Sequence, residues 1–357
     1  MTTGPLTTGP VTGGPVTGGP VTGGPALAGA MPMTTLGPGG PAVSRIGLGL
    51  AALGRPAYIT SGRAEDLPDR SVDALRERSF AVLDAAYAAG VRYFDTARSY
   101  GRAEEFLGGW LGARGHPDAV CGSKWGYRYT GEWRLDAAKH EVKEHSLAMF
   151  TAQLAETRAL LGPRLALYQV HSLTEDSPLL GDAALLDALG ALRDTGVRVG
   201  LSTSGPDQAV TLRRAMDAQA GGRPVFSAAQ VTWNLLETSV AAAAAEAAGA
   251  GWAILVKEGM ANGRLAPGAG PGRDGPPAAL ARAAAQAGTS TDALAIAAAL
   301  AQPWATVVLS GVVTPAQLAG NLAALAVPGE VVARVTELGL AEPPPGYWAT
   351  RSARAWA

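Results

Sequence analysis

Eight short apolar runs punctuate the chain after Ser44, and none alternates apolar with polar residues: 45–50, 91–96, 120–125, 165–171, 197–202, 226–232, 252–257 and 306–310. A strand that is apolar on both faces has to be covered on both faces, which is the condition of a parallel sheet. Segments with helical spacing separate the runs, at 71–89, 104–112, within 142–161, near 182–194 and 206–219, then 240–248, 278–287, 291–301 and 315–325. Parallel neighbours need a crossover of this length, usually a helix. Eight strand–helix units predict an α/β fold of (β/α)8 TIM-barrel type as a single domain, because that count closes a barrel more naturally than it fills an open doubly wound sheet. Local signals agree. Ser71 precedes apolar positions Ala74, Phe80, Val82, Leu83 and Ala86 as an N-cap candidate, Gly90 stops that helix, and Thr314-Pro315 sets a capping hydroxyl before a proline at the first helical position.

The first 40 residues follow another rule. Val11-Thr12-Gly13-Gly14-Pro15 recurs at 16–20 and again at 21–25. A proline every fifth residue blocks helix, and Gly, Thr and Pro offer little to bury. Residues 1–40 are therefore expected to be a disordered, dispensable extension, and the barrel is expected over 41–357. A basic region followed by an apolar one is absent from the N-terminus, so no signal peptide is expected, and the Ala-rich stretch 240–256 is broken by Glu246 and glycines, so no membrane span is expected. One cysteine, Cys121, excludes an internal disulfide framework and suits a reducing cytoplasm. A net charge of -1 gives no electrostatic footprint for nucleic acid. The sequence does not set the oligomeric state.

Two motifs mislead. Gly47-Leu48-Gly49-Leu50-Ala51-Ala52 matches a dinucleotide fingerprint, but Gly54 and Pro56 fall where its helix should run. His140-Glu141-Val142-Lys143-Glu144-His145 resembles a zinc motif one residue too long. On a helix its histidines would point about 140° apart, so no shared metal is expected, and the pair is expected to be solvated or to line a loop over the barrel mouth.

The chemistry concentrates at strand ends. Only four residues are lysine, and Lys124 ends an apolar run, where a cation needs a partner. Asp95 and His171 end neighbouring runs, and the C-terminal ends of barrel strands are where active sites of that fold lie. Tyr100 lies five residues past Asp95 and can fold back over Lys124. A free phenol titrates near about 10, and an adjacent ammonium held by Asp95 is expected to bring Tyr100 lower. A neutral His171 can donate to a carbonyl oxygen at the same place. Tyr, Lys, Asp and His then form a proton donor and oxyanion binder with no nucleophile or metal, and such a site needs a hydride from elsewhere, for which a nicotinamide is the obvious source.

On these residues the chain, from about 44 to 326, resembles the aldo-keto reductase family. The carriers are Phe94-Asp95-Thr96-Ala97-x-x-Tyr100-Gly101, Ser123-Lys124 and Leu167-Tyr168-x-x-His171. The resemblance implies an NAD(P)H-dependent oxidoreductase that interconverts a carbonyl (aldehyde, ketone or sugar) and an alcohol. Tyr100 would be the general acid or base, Lys124 and Asp95 would tune it, and His171 would orient the carbonyl. It also implies a cofactor set. Gly200-Leu201-Ser202-Thr203 is similar to the family's Gly-Val-Ser-Asn, with Thr203 in the asparagine's place, and Gln230 matches the glutamine that binds the carboxamide. Lys257 stands where members carry an aromatic that stacks on nicotinamide. Gly311, Gln317 and Asn321 fall in the segment that holds the adenosine phosphate. Many members carry Lys or Arg at positions matching 311, 313 or 317, where this chain has Gly, Val and Gln. The cofactor expected is NADP, with NAD the other choice and Arg264 or a loop arginine as a substitute cation. Trp125, Tyr127, Trp133 and Tyr58 are expected to line the substrate pocket, with Trp233, Tyr347 and Trp348 nearby. The other readings are a cofactor-sensing binding protein, as in channel-associated β subunits of the same fold, and an NAD-dependent sugar dehydrogenase.

Overall fold

The computed structural model describes Met1 and residues 30–60, 62–268 and 274–356 of the chain. The eight apolar runs are eight strands: β1 Ile46–Gly49, β2 Tyr93–Asp95, β3 Val120–Trp125, β4 Leu165–Leu173, β5 Arg198–Thr203, β6 Ala228–Thr232, β7 Ala253–Lys257 and β8 Val307–Ser310. Each pairs in parallel with the next, and β8 pairs with β1 to close the barrel. The expected helices follow their strands, among them Val72–Ala88, Ala103–Arg114, Leu147–Leu161 and Pro315–Leu322. Ser71 Oγ accepts from the Ala74 N–H at 3.3 Å, and Thr314 caps the helix that Pro315 opens.

The strands bury both faces. Their outward residues pack with the helices in the larger apolar cluster. A second cluster of Tyr93, Val120, Leu167, Ala228, Ala253, Leu255, Val307 and Leu309 forms with Leu36 and Val43. Within it Gly122 has to be glycine, because a Cβ there would lie 2.0 Å from the Tyr93 hydroxyl.

Leu36 and Val43 belong to a hairpin, Met33–Thr35 with Ala42–Ser44, that closes onto this cluster. Within the extension expected to be disordered, residues 33–35 instead form a strand of this hairpin. The physical reason is Leu36, an apolar side chain fully out of solvent among glycines and prolines whose average composition conceals it. The five-residue repeats lie outside the described residues.

A hairpin of Tyr127–Tyr129 with Glu141–Lys143 follows β3 and was not anticipated. It places His140 just before and His145 just past the strand Glu141–Lys143, so a helical spacing of the two does not apply. Neither is solvated: His140 is buried against Trp356 (4.5 Å, stacked), and His145 Nε2 bonds the His171 carbonyl at 2.9 Å. Helices Gly329–Thr336 and Pro344–Ser352 complete the C-terminal part. Among the described residues no single helix is long and apolar enough to cross a membrane.

Replacing Leu36 with Ala removes a buried side chain from the hairpin's contact with this second cluster and is expected to cost about 2–5 kcal/mol in a denaturant melt. A loss within about 0.5 kcal/mol, the range of surface changes, would mean the hairpin does not seal the core.

Candidate active site

Asp95 is the last residue of β2, Lys124 lies near the end of β3, and both side chains are almost fully withdrawn from water, at 3% and 0% exposure. Lys124 Nζ donates to Asp95 Oδ2 and to the Thr96 carbonyl at 3.0 Å. Asp95 Oδ1 accepts from Gln230 Nε2 at 2.9 Å and from Gln169 Nε2 at 3.4 Å. A buried ion pair persists only where the remaining lone pairs find donors, and the two glutamines from β6 and β4 supply them.

Tyr100 is set above this pair by a tight backbone approach. The Arg102 N–H donates to the Gly54 carbonyl at 2.7 Å, and a Cβ at Gly54 would come within 2.3 Å of the Tyr100 carbonyl. The Tyr100 ring then lies 4.9 Å from Lys124 Nζ, 5.0 Å from the Arg55 guanidinium and 5.4 Å from the His171 ring. The expected lowering of Tyr100 by Lys124 is corrected. Burial pushes the phenol well above its ordinary value, the Asp95 charge adds to the rise, and Arg55 is the chief opposing cation. Lys124 is paired with Asp95, so the phenol faces the pair rather than a bare ammonium, and it stays protonated.

His171 reaches the same place from β4, whose register with β5 shifts between Val170 and Leu173. Ser172 there has a left-handed φ of 50°, and its N–H donates to Ser202 Oγ at 2.8 Å. Such irregularities re-aim side chains next to sites. Burial, with Lys124, Arg55 and Lys257 nearby, holds the imidazole well below its ordinary value, so it is neutral, and Nδ1 meets Ser99 Oγ at 3.3 Å.

These groups open into a cavity of about 930 Å³, near the upper end of the range for ligand sites. Asp95, Tyr100, His171, Gln230, Lys257, Gly311, Gln317, Asn321 and Tyr58 line it, while Lys124 lies beneath, buried. Several expected residues are elsewhere. Ser202 is engaged with Ser172, and Thr203 Oγ1 donates to Gln208 Oε1 at 3.3 Å, so neither lines the cavity. Trp125 is fully buried against Phe150 and His145. Trp133 donates to the Arg70 carbonyl and packs on Phe106. Tyr127 stands 5.0 Å from the His171 ring without lining the cavity, Trp233 packs on Trp304, and Tyr347 Oη accepts from Asn234. Arg264 pairs with Glu342.

Other residues form the wall in their place. Arg55, buried and bonded to Glu141 at 2.9 Å, lies over the rings of Tyr58, Tyr100 and Trp356. Glu258 is bound twice over by Arg351 from the C-terminal helix and lies 3.6 Å from Lys257. Burial opposes the Glu258 charge, yet Arg351 and Lys257 hold its carboxyl at about 2, while burial brings the Lys257 ammonium to about 8. The adjacent opposite charges Lys257-Glu258 at the end of an apolar run were the sequence signal for Glu258, whereas its partner is 93 positions away. No cluster of three metal-ligating side chains occurs among the described residues.

An acid–lysine pair, a tyrosine and a histidine thus gather at the C-terminal strand ends of a closed eight-stranded parallel barrel, the place where active sites of that fold lie. The aldo/keto reductase family model matches residues 45–339, and the chain belongs to that family, whose members carry out nicotinamide-dependent carbonyl oxidoreduction. It is 37% identical over 100 residues to the aldo-keto reductase str7 of Strobilurus tenacellus, a match that spans about a quarter of each protein (27% and 26%). Its fold is similar to that of aldo-keto reductase AKR11C1 from Bacillus halodurans in holo form (TM-score 0.66, 20% identity, 88% of this chain and 97% of that one). An aldo-keto reductase of Pseudomonas aeruginosa is similar too (TM-score 0.58, 24% identity, 85% and 94%).

Replacing Lys124 with Met leaves the Asp95 carboxylate buried without its cation, and the expected cost in an equilibrium melt is about 3–5 kcal/mol. Adding Asp95→Asn to that variant should recover part of the loss. A double variant no more stable than the single one would mean the pair's charges are not what the core tolerates.

Proposed function

We propose that the protein is a nicotinamide-dependent oxidoreductase interconverting a carbonyl compound and an alcohol, with Tyr100 as the group that gives or takes the proton. The observation that carries this reading is the convergence of Tyr100 and His171 on one cavity above the buried Asp95–Lys124 pair. A cavity of about 930 Å³ with a fully buried polar floor and a buried unpartnered carboxylate oxygen, Asp292 Oδ1, suits a ligand rich in hydroxyl and amine donors, as a dinucleotide is. When bound, a nicotinamide supplies or accepts the hydride.

The remaining chemistry is that of the chain's own residues. Neutral His171 donates a hydrogen bond to the carbonyl oxygen and orients it toward Tyr100. The Tyr100 hydroxyl delivers its proton to that oxygen as negative charge develops there, and takes it back in the reverse direction. Lys124, held by Asp95 and the Thr96 carbonyl, keeps a positive charge under the ring and steadies the phenolate that forms. Gln230, with its amide N–H on Asp95, has its carbonyl oxygen to offer a bound amide. The walls of Tyr58, Arg55 and Trp356 surround the carbonyl compound with aromatic faces and one fixed charge. Thr203 and Lys257, in place of the family's asparagine and aromatic, favour the second reading, a cofactor-binding protein with little turnover.

Replacing Tyr100 with Phe is expected to reduce aldehyde reduction at least about a hundredfold while cofactor affinity stays within twofold. Undiminished reduction would remove Tyr100 from its role. Wild-type protein that binds cofactor yet turns over no aldehyde would favour the binding-protein reading.

The pH dependence follows from the sign of the two shifts. Tyr100 is the active acid when protonated and its value is raised, so reduction loses this proton donor only above the ordinary phenol range. His171 is active when neutral and its value is depressed, so acid removes it only well below the ordinary histidine range. Neither group should therefore titrate between about pH 6 and 9, and the step expected in reduction over that range is that of Lys257 at about 8. A fall centred near about pH 6.5 would mean that His171 titrates normally.

A further inference from the structure

Lys257 is the last residue of β7, level with Thr232 of β6, and its Nζ donates to Thr232 Oγ1. The side chain is 15% exposed and lines the cavity together with Tyr100 and His171. Among the described residues it is the one lysine that does so. Lys124 lies beneath, and Lys139 and Lys143 are exposed at the hairpin after β3.

The two lysines of the mouth are held differently. Asp95 depends on Lys124, because its Oδ2 accepts from the ammonium while its Oδ1 accepts from neutral glutamine amides. Glu258 has a stronger claimant than Lys257. Both its oxygens accept from Arg351, through Nε at 3.0 and 2.9 Å and Nη2 at 2.6 Å, whereas Lys257 Nζ stands 3.6 Å from Oε1, beyond good hydrogen-bonding distance. Loss of a proton from Lys257 therefore leaves Glu258 neutralised, where loss of one from Lys124 would strand a buried carboxylate. Burial is the largest influence on Lys257. Glu258 opposes it, Arg351 and Lys124 reinforce it, and the ammonium comes to about 8. Near pH 7.5 about a quarter of such a lysine is neutral, against about a thousandth of one with the ordinary value. A neutral amine beside another cation in a cavity is a nucleophile toward carbonyl carbon.

We propose that Lys257 is a covalent capture site for aldehydes, forming a reversible imine inside the cavity, and that Arg351 keeps its amine available by binding Glu258. The nitrogen lone pair forms a bond to the carbonyl carbon as the C=O π pair moves to oxygen. A proton passes from nitrogen to that oxygen to give the carbinolamine. Its C–O bond then breaks, and the oxygen leaves as water with the proton that the ammonium had first shed. The iminium that remains carries one positive charge, as the ammonium did, so the charge beside Glu258 is unchanged. The imine forms without nucleotide and without Tyr100, so this site stands whether or not the oxidoreductase reading does.

The test is incubation of the purified full-length protein with benzaldehyde and sodium cyanoborohydride at about pH 7.5, with no nucleotide added. The borohydride reduces the iminium carbon and fixes a benzyl group on the nitrogen, and peptide mass spectrometry reads its position and extent. Lys257 is expected to be benzylated at least about tenfold faster than Lys139 and Lys143, with Lys124 unlabelled. Labelling of Lys257 no faster than that of the two exposed lysines overturns the proposal. In Arg351→Met, Glu258 has Lys257 for its cation, and labelling of Lys257 should fall at least about fivefold while that of Lys139 holds. In Glu258→Gln the opposing charge is gone, and labelling of Lys257 should rise. Wild-type rates in both variants overturn the role given to Arg351. Labelling of Lys124 reports a variant that has lost its fold, in which case the other variant decides that role, and the wild-type ratio decides the capture site in either case.

Discussion

The buried Asp95–Lys124 pair is the contact around which the mouth of the barrel is organised. Its two charges lie on adjacent strands with almost no exposure, where desolvation would exceed their mutual attraction if they stood alone. Gln169 and Gln230 complete the carboxylate, the Thr96 carbonyl completes the ammonium, and four strands are thereby tied to one point. Whatever sits above inherits a fixed field and a fixed floor. Tyr100 sits there because Gly54 lets the loop after β1 touch the turn after β2, a contact that any side chain at that position would prevent.

The same field sets the protonation of the site. Burial alone would keep a phenol protonated and an imidazole neutral, and the mouth reinforces both outcomes, with Asp95 beside Tyr100 and three cations around His171. Tyr100 and His171 are therefore both neutral hydrogen-bond donors at ordinary pH. Around them the fixed charges neutralise one another: Arg55 with Glu141, and Arg351 and Lys257 with Glu258. The C-terminal helix and the residues after it reach the mouth by these contacts, with Trp356 closing the wall against Tyr58 and His140.

Much of the fold was legible in the chain. All eight strands and the helices between them match the apolar runs, and β3 and the capped helix starts at Ser71 and Thr314 fall where the residues put them. A strand buried on both faces has a one-dimensional signature, because its neighbours are the same whichever way it turns. Asp95, Lys124 and His171 were legible for a related reason: an ionisable group closing an apolar run has few explanations. The hairpin at Met33–Thr35 was not legible, since a single leucine among glycines carries no period. Trp125 and Trp133 were expected at the pocket and do not line the cavity, because an aromatic residue near a strand end packs inward or outward according to neighbours that the local sequence does not name.

Order along the chain by itself determined the barrel and which ionisable residues close its buried strands, since both follow from which residues stand at the ends of apolar runs. The tertiary structure alone decided the charges and the contents of the cavity. Whether Lys124 acts on Tyr100 or is absorbed by Asp95, whether Ser202 faces a ligand or the Ser172 N–H, and which acids stand beside Gln317 depend on separations through space between residues remote in sequence. Electrostatic and hydrogen-bonding energies fall with that distance and with burial, and neither quantity is a property of sequence position.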